Sequence, residues 1–225
     1  MKGTRLTMMA RGVWCLIGAI MLVSLVTRIA TAQLEPACVE NSPERWGEIG
    51  CSLVENKPLP GTLKEPLFWH IDRFASGERA RAAVGSTSIA FGAHGTWWLM
   101  SIESKTSAHH GGQHVALAKL PPLPPAQKYS MLVMSAYIPS GLTSRVHTHS
   151  GVEGFFVVDG NQCLETSART YKMSKGEILV IPAGVVMRLV ATGSKPRRAL
   201  AVIVYDATQP PTTRMEDEPE LVSCK

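Results

Sequence analysis

The C-terminal half of the chain consists of short apolar segments that glycine and proline residues separate at short intervals. These segments cover 129–138, 152–158, 178–182, 185–191 and 200–205. Each has the length of a β-strand, and no long helical period runs through them. The pattern predicts an all-β fold, an antiparallel sandwich or barrel, for this half of the chain.

Two histidines, His147 and His149, are separated by one residue in this half, and Glu153 follows with the same parity. Side chains alternate along a strand, so all three point to one face if the intervening Ser150 and Gly151 do not shift the register. Two imidazoles and a carboxylate are a recognised ligand set for a divalent metal with open positions. We therefore expect a metal site here, with Glu153 also able to act as the catalytic base. The alternative is a scaffold that keeps these residues but binds no metal.

These residues also fit a longer spacing. Gly141, five residues, His147-Thr-His149, three residues, Glu153, six residues and Gly160 match the first motif of the cupin superfamily without a gap. The chain thus resembles the cupins, and the resemblance implies an antiparallel jelly-roll barrel that holds one metal ion.

The second cupin motif is only partly present. Gly176, five residues and Pro182-Ala-Gly184 match it. After two further residues, however, Met187 stands where the family usually has a histidine ligand, and Ala191 replaces the later asparagine. A thioether is a softer and weaker ligand than an imidazole. We expect one divalent transition metal (Fe, Mn, Zn or Cu) with three protein ligands. In the alternative, Met187 joins as a weak ligand and favours copper.

The first 32 residues have the three parts of a secretory signal peptide. They comprise a basic start within 2–11, an apolar run at 13–26 and the small residues Ala-Thr-Ala at 30–32. The run is short for a membrane span, so a retained anchor is the less favoured interpretation. The wider pattern, with the stretch GNQCLET and a cysteine near the C-terminus, also resembles exported bacterial single-domain cupins. We expect a secreted or periplasmic bacterial protein with no membrane span after signal removal.

The net charge of +5 does not predict a nucleic-acid partner. Four of the 23 basic residues and none of the 18 acidic ones lie in the first 32 residues, which leaves 19 against 18. A nearly neutral mature chain has no basic footprint for nucleic acid.

Removal of the signal peptide leaves four cysteines, Cys38, Cys51, Cys163 and Cys224. An even number in an exported chain favours disulfides, and four cysteines allow three pairings. The sequence weakly favours a local Cys38–Cys51 bridge with Cys163 holding the Cys224 tail. A thiol metal site is disfavoured because no C-x-x-C pair is present.

The remaining organisation predicts one domain, with residues 33–128 as an N-terminal extension packed on the barrel, 129–207 as the barrel and 208–225 as a tail. The extension is expected to contain a polar arm at 33–65, short helices at 44–49 and 76–84, and two strands within 88–102. Ser76 is the expected N-cap of the second helix.

Two further residues are weaker site candidates. His114 could enter a strand beside the barrel mouth and supply an extra metal ligand, although a solvated loop with His109 and His110 is favoured. Arg145 shares parity with His147 and could bind an anionic substrate, although a surface role is favoured.

The predicted partner is a small-molecule ligand or substrate. The first hypothesis is a metal-dependent oxidoreductase of the dioxygenase type, and the alternative is a non-catalytic periplasmic module that binds a small ligand or a metal. Cupins commonly dimerise through sheet edges, so the resemblance also implies a homodimer.

Overall fold

The structure is a computed structural model. It describes residues 33–34, 39–40, 50–61, 63–107, 111–217 and 219–224, which belong to one compact unit. The predicted signal peptide, the predicted helix at 44–49, Cys38, His109 and His110 lie outside the described residues.

The described residues form three β-sheets, in which nearly all neighbouring strands are antiparallel. Sheet A contains β1 (Gln33–Leu34), β9 (Thr143–Ser144), β10 (His147–His149), β12 (Asn161–Thr166), β13 (Thr170–Ser174), β15 (Met187–Thr192) and β17 (Thr212–Arg214). Sheet B contains β2 (Val39–Glu40), β3 (Gly50–Pro58), β8 (Tyr129–Ile138), β11 (Val152–Asp159), β14 (Ile178–Ile181) and β16 (Arg197–Asp206). Sheet C contains β4 (Phe68–Phe74), β5 (Ser88–Ala93), β6 (Thr96–Glu103) and β7 (Gln113–Lys119). The predicted all-β antiparallel fold is confirmed.

Sheet B lies between the other two sheets, because the two faces of its strands are buried against different partners. Along β16, Leu200, Val202 and Val204 pack in the main apolar core with residues of sheet C. The alternate residues Ala199 and Ala201 line a cavity that residues of sheet A close on the other side. The alternation of side chains along one strand thus divides the interior into a solid core and a hollow barrel.

The core between sheets B and C depends on a close approach at Gly154 in β11. A Cβ atom at Gly154 would lie 2.6 Å from the ring of Trp69, which is fully buried in β4. Glycine at this position therefore lets the Trp69 ring approach closely the strand that carries Glu153.

The helix α1 (Gly77–Ala82) follows the expected N-cap. The Ser76 side chain accepts a hydrogen bond from the backbone N–H of Arg79, and the cap residue at the other end is Ala83. The predicted helix at 76–84 is confirmed, with both ends slightly shorter.

The N-terminal part of the chain contains more strand than predicted. Residues 50–58, predicted as part of a polar arm, form β3 and pair with β8 along its length, so the arm prediction is wrong there. The strand β4 was also not predicted, and β7 corresponds to the disfavoured alternative of a strand at His114; β4 pairs with both β6 and β7 and so completes sheet C. Among the described residues, no helix is long and apolar enough to cross a membrane.

A disulfide joins Cys163 in β12 to Cys224 near the C-terminus, with Cα atoms 6.1 Å apart. The backbone N–H of Cys224 also donates a hydrogen bond to Oε1 of Glu165. These contacts fix the tail along sheet A. Cys51 is disulfide-bonded as well.

Candidate metal centre

The side chains of His147, His149 and Glu153 meet inside the barrel. His147 and His149 lie in β10 of sheet A, and Glu153 lies in β11 of sheet B. Their candidate ligand atoms all lie within 4.8 Å of one another. The expectation from strand parity, that the three side chains share one interior face, describes this arrangement.

Gly151 lets the chain pass from sheet A to sheet B between the two histidines and the glutamate. A Cβ atom at Gly151 would lie 2.1 Å from the carbonyl oxygen of Val204, so no other residue fits without displacing the backbone. This close contact packs the two-residue connection between β10 and β11 against β16.

Both imidazoles are held through Nδ1. Nδ1 of His147 lies 2.7 Å from the carbonyl oxygen of Arg145, and Nδ1 of His149 lies 3.0 Å from that of Pro211. The hydroxyl of Thr212 also lies 3.0 Å from Nδ1 of His149. A carbonyl oxygen only accepts, so Nδ1 carries the proton in each ring. In the neutral ring the lone pair is then on Nε2, as in most metal-binding histidines.

Nε2 of His149 and Oε2 of Glu153 lie 3.0 Å apart, and both residues are about 95% buried. Neither atom has a partner with hydrogen-bond geometry among the described residues. A neutral imidazole nitrogen and a carboxylate oxygen both present lone pairs, so a cation or a proton between them is needed to make their approach favourable.

The pKa values of the two histidines differ in the way this geometry requires. Burial lowers the pKa of His147, and the nearby His149 lowers it further. Burial also acts to lower the pKa of His149, but the charge of Glu153 and the contact with it outweigh burial and raise that pKa. A metal ion would therefore compete with a proton for the position between His149 and Glu153.

The residues fit a divalent transition metal. Metal–ligand bonds of about 2.0–2.2 Å place neighbouring ligand atoms roughly 3 Å apart, which is the separation of Nε2 of His149 and Oε2 of Glu153. Two imidazoles and one carboxylate leave other coordination positions open. His147, His149 and Glu153 are thus the residues that would hold such an ion.

A cavity of about 120 Å³ lies beside the three side chains, between sheets A and B. Its polar lining consists mainly of the three candidate ligands together with Arg145, Arg197 and Thr212. Its remaining wall is largely apolar and includes Met134, Ile138, Phe155, Leu189 and Ala201. One water molecule needs roughly 10–15 Å³ measured in this way, so the cavity has room for a small organic molecule.

The weaker sequence candidates occupy three different environments. Met187 in β15 pairs directly with His147 in register, but it packs in the apolar cluster with Phe155 and does not line the cavity. His114 lies in β7, so the favoured prediction of a solvated loop is wrong. Its Nδ1 is 3.2 Å from Oδ1 of Asp72, and the residue is not part of the ligand cluster. Arg145 lines the cavity, so the favoured surface role is wrong for its side chain.

Two features of the site were not predicted. The C-terminal segment supplies Pro211 and Thr212, whose oxygen atoms contact Nδ1 of His149 and so orient its ring. These residues are 62 and 63 positions away from His149 in the sequence. Arg197 in β16 lines the cavity although it is only 2% exposed. Its neighbour Arg198 is exposed, and a pair of basic residues after a proline gives no signal that one of them is buried.

Solved structures of similar shape cover about a third of the chain. A cupin-like protein from Thermotoga maritima has 16% identity and a TM-score of 0.34, over 39% of this chain and 64% of that one, which is less than two thirds of its length. A cupin domain from Bordetella pertussis has 18% identity and a TM-score of 0.30, over 38% of this chain and 91% of that one. A salicylate 1,2-dioxygenase variant from Pseudoaminobacter salicylatoxidans, in complex with gentisate, has 19% identity and a TM-score of 0.30, over 32% of this chain and 20% of that one.

Among curated proteins, no sequence matches the chain significantly. The family model of the cupin domain matches residues 133–203, which run from β8 to β16 and include His147, His149 and Glu153. The predicted resemblance to the cupins is confirmed over this segment, residues 133–203, by the cupin-domain family model.

Proposed function

We propose that this cupin binds one divalent transition metal through His147, His149 and Glu153 and acts on a small molecule in the adjacent cavity. The observation that carries the proposal is the pair of buried lone-pair atoms, Nε2 of His149 and Oε2 of Glu153, which face each other without hydrogen-bond geometry. Burial of two acceptors at this distance is unfavourable unless a metal ion or a proton joins them, and a divalent ion can in addition bind the nearby His147.

The proposed activity is that of an oxidoreductase of the dioxygenase type. A transition metal held by these ligands supplies Lewis-acid and redox chemistry. The chain's own contribution is to fix both imidazoles through Nδ1 and to exclude water with the apolar wall. Glu153 can hold a proton at Oε2 when that oxygen is not a ligand.

Oxygen uptake tests this activity. The mature protein is loaded separately with Fe(II) or Mn(II) and mixed with small phenols or diketones in an oxygen electrode cell. We expect substrate-dependent oxygen consumption by the wild type and none by Glu153→Gln. Glu165→Gln is the matched control, because Glu165 is a buried carboxylate that does not line the cavity. Consumption that is equal in the wild type and in Glu153→Gln would contradict the proposal.

A second candidate function is a non-catalytic module that binds a metal or a small ligand. The position of Met187 in the sequence of strands favours it, because its backbone pairs in register with that of His147 in the β10–β15 ladder. Copper bound by the wild type and released by Met187→Ala, without oxygen uptake in any metal form, would support this function over the enzyme.

We further propose that the protein is exported and that its signal peptide ends at Ala32. The Cys163–Cys224 disulfide supports this proposal, because such bridges persist mainly in oxidising compartments. Expression of the full chain in a bacterium, followed by intact-mass measurement of the periplasmic fraction, tests it. We expect a protein that begins at Gln33, whereas an uncleaved 24.4 kDa chain in the cytoplasm would contradict export.

A further inference from the structure

Arg197 is a buried cation inside the barrel. It is the first residue of β16, its side chain is 2% exposed, and it lines the same cavity as His147, His149 and Glu153. The alternation of β16 explains this position, because Arg197 shares a face with Ala199 and Ala201 while the exposed Arg198 points the other way.

One edge of the Arg197 guanidinium is fixed by a buried glutamine. Nε of Arg197 donates to Oε1 of Gln162, and Nε2 of Gln162 in turn lies 3.0 Å from the sulfur of Met173. Gln162 is fully buried, so its amide is held in this orientation. The guanidinium is therefore positioned by the protein and not by a ligand.

The two terminal nitrogens of Arg197 make no hydrogen bond or ion pair with a described residue. Both nitrogens keep some accessible surface, unlike the fully buried polar atoms that lack a partner. They are therefore open to the cavity. A guanidinium has five N–H donors, and one of them is used by Gln162. Four donors in a planar fork thus remain for a ligand.

The charge of Arg197 is not balanced once Glu153 serves as a ligand. Burial lowers the pKa of Arg197 to about 10, against the opposing effect of Glu153, so the side chain stays cationic at neutral pH. Glu153 is the single carboxylate among the described residues that line the cavity. Arg145, the other cation there, makes an interaction of its own. With Glu153 committed to a divalent ion, the cavity carries an excess of positive charge that an anion would neutralise.

We propose that Arg197 is the anion-binding residue of this cavity and that the ligand is a small organic carboxylate. The planar fork of a guanidinium matches the two oxygens of a carboxylate. The apolar wall formed by Ile138, Phe155 and Leu189 fits the hydrocarbon part of such a molecule better than a fully hydrated inorganic anion. That this carboxylate is the substrate, and that the charge of Arg197 is left unbalanced, rest on the proposed function, whereas the open guanidinium fork and the apolar wall do not.

Calorimetric titration of the mature protein, both metal-free and after reconstitution with zinc, tests the site. The probes are acetate, benzoate, the neutral analogue benzamide and inorganic phosphate, all at constant ionic strength. We expect acetate or benzoate to bind, benzamide to bind at least tenfold more weakly than benzoate, and phosphate to bind more weakly than either carboxylate. Failure of both carboxylates to bind at 20 mM, or tighter binding of phosphate, would overturn the proposal.

The variants assign the binding to Arg197. We expect Arg197→Gln to weaken carboxylate binding at least tenfold and the matched control Arg198→Gln, which removes the same charge from the exposed neighbour, to change it less than twofold. If Arg197→Gln does not fold, Arg197→Lys carries the test, with an expected loss of at least fivefold because an ammonium group is not a planar fork. Wild-type affinity in the folded variant would overturn the proposal.

Metal analysis of the same samples separates this inference from the proposed function. After reconstitution, Arg197→Gln, or Arg197→Lys in its place, is expected to keep the wild-type metal content, because Arg197 is not a ligand. A wild type that binds no metal but binds benzoate through Arg197 would remove the proposed function and leave the anion site intact. Loss of metal from the Arg197 variant would show that Arg197 helps to hold the metal-binding residues in place. This result would overturn the proposal that Arg197 serves only to bind the anion.

Discussion

Nε2 of His149 and Oε2 of Glu153 lie 3.0 Å apart although the two residues belong to different sheets. The turn through Gly151 makes this approach possible, and the carbonyl of Pro211 orients the imidazole from the far end of the chain. The position between the two atoms suits a proton or a metal ion. This short distance between two buried lone-pair atoms supports the proposed metal centre.

The close contact at Gly151 gives the first prediction. In Gly151→Ala the added Cβ would collide with the carbonyl of Val204, and we expect a loss of about 1–3 kcal/mol in the free energy of unfolding. Metal affinity, measured by chelator competition, should fall at least tenfold because the connection between β10 and β11 is displaced from β16 and the ligands it joins shift. Gly61→Ala is the control, since an added Cβ there meets nothing within 4 Å. Equal affinity in the two variants would contradict the role given to Gly151.

Met187 gives the second prediction. Because its side chain is fully buried in an apolar cluster and does not line the cavity, Met187→Leu should change the unfolding free energy by less than about 1.5 kcal/mol. Zinc and copper affinities should stay within threefold of the wild type. A selective loss of copper binding would mean that the thioether is a ligand after all.

The Cys163–Cys224 disulfide gives the third prediction. It closes a loop with a sequence separation of 61, and replacing both cysteines by alanine should lower the free energy of unfolding by about 2–4 kcal/mol. Neither cysteine coordinates the cluster, so metal content should not change. Denaturant unfolding followed by circular dichroism measures the effect, and identical midpoints for variant and wild type would be the contrary result.

His94 gives the fourth prediction, which concerns pH. Burial lowers the pKa of His94, the hydrogen bond to the Ala199 carbonyl opposes this, and Arg198 and Arg197 add to the lowering. Below the ordinary histidine pKa of 6.5, the unfolded chain takes up a proton at His94 that the folded chain does not. The contribution of His94 to the free energy of unfolding is therefore complete above pH 6.5 and declines as the pH falls below that value.

His94→Asn tests this effect, because asparagine tolerates the positive φ of 53° at this position. At pH 7.5 the variant should unfold at a lower temperature than the wild type, since the hydrogen bond is lost. At pH 5.5 the difference should be smaller. If the difference in unfolding temperature between the two proteins stays constant or grows as the pH falls, the predicted loss of wild-type stability at low pH is wrong.

Much of this arrangement could be predicted from sequence. The alternation of side chains predicted that His147 and His149 point to the same side, and the short apolar segments marked β8, β11 and β16, although Glu153 reaches the histidines from a different sheet. Both inferences need only local regularity, which a sequence displays directly. The homodimer stays a prediction.

The elements that were missed have only a short or misleading local signal. In β4 apolar and polar residues alternate only from Trp69 to Asp72, and the polar His70 and Asp72 are buried as well. Arg197 was missed for a related reason, because a charged residue is rarely buried without a partner that only the fold reveals. The orientation of His149 by Pro211 depends on a contact across 62 residues, which no local pattern contains.

Metal content is the most direct test of the central claim. The wild type, the double variant His147→Ala with His149→Ala, and the control His114→Ala are purified without added metal, reconstituted with each of Fe, Mn, Zn and Cu, and analysed by mass spectrometry after gel filtration. Circular dichroism confirms that each sample is folded. We predict about one bound ion per chain in the wild type and the control and less than a tenth of that in the double variant. A folded wild type that retains no metal, or a double variant that retains as much as the wild type, would contradict the metal centre.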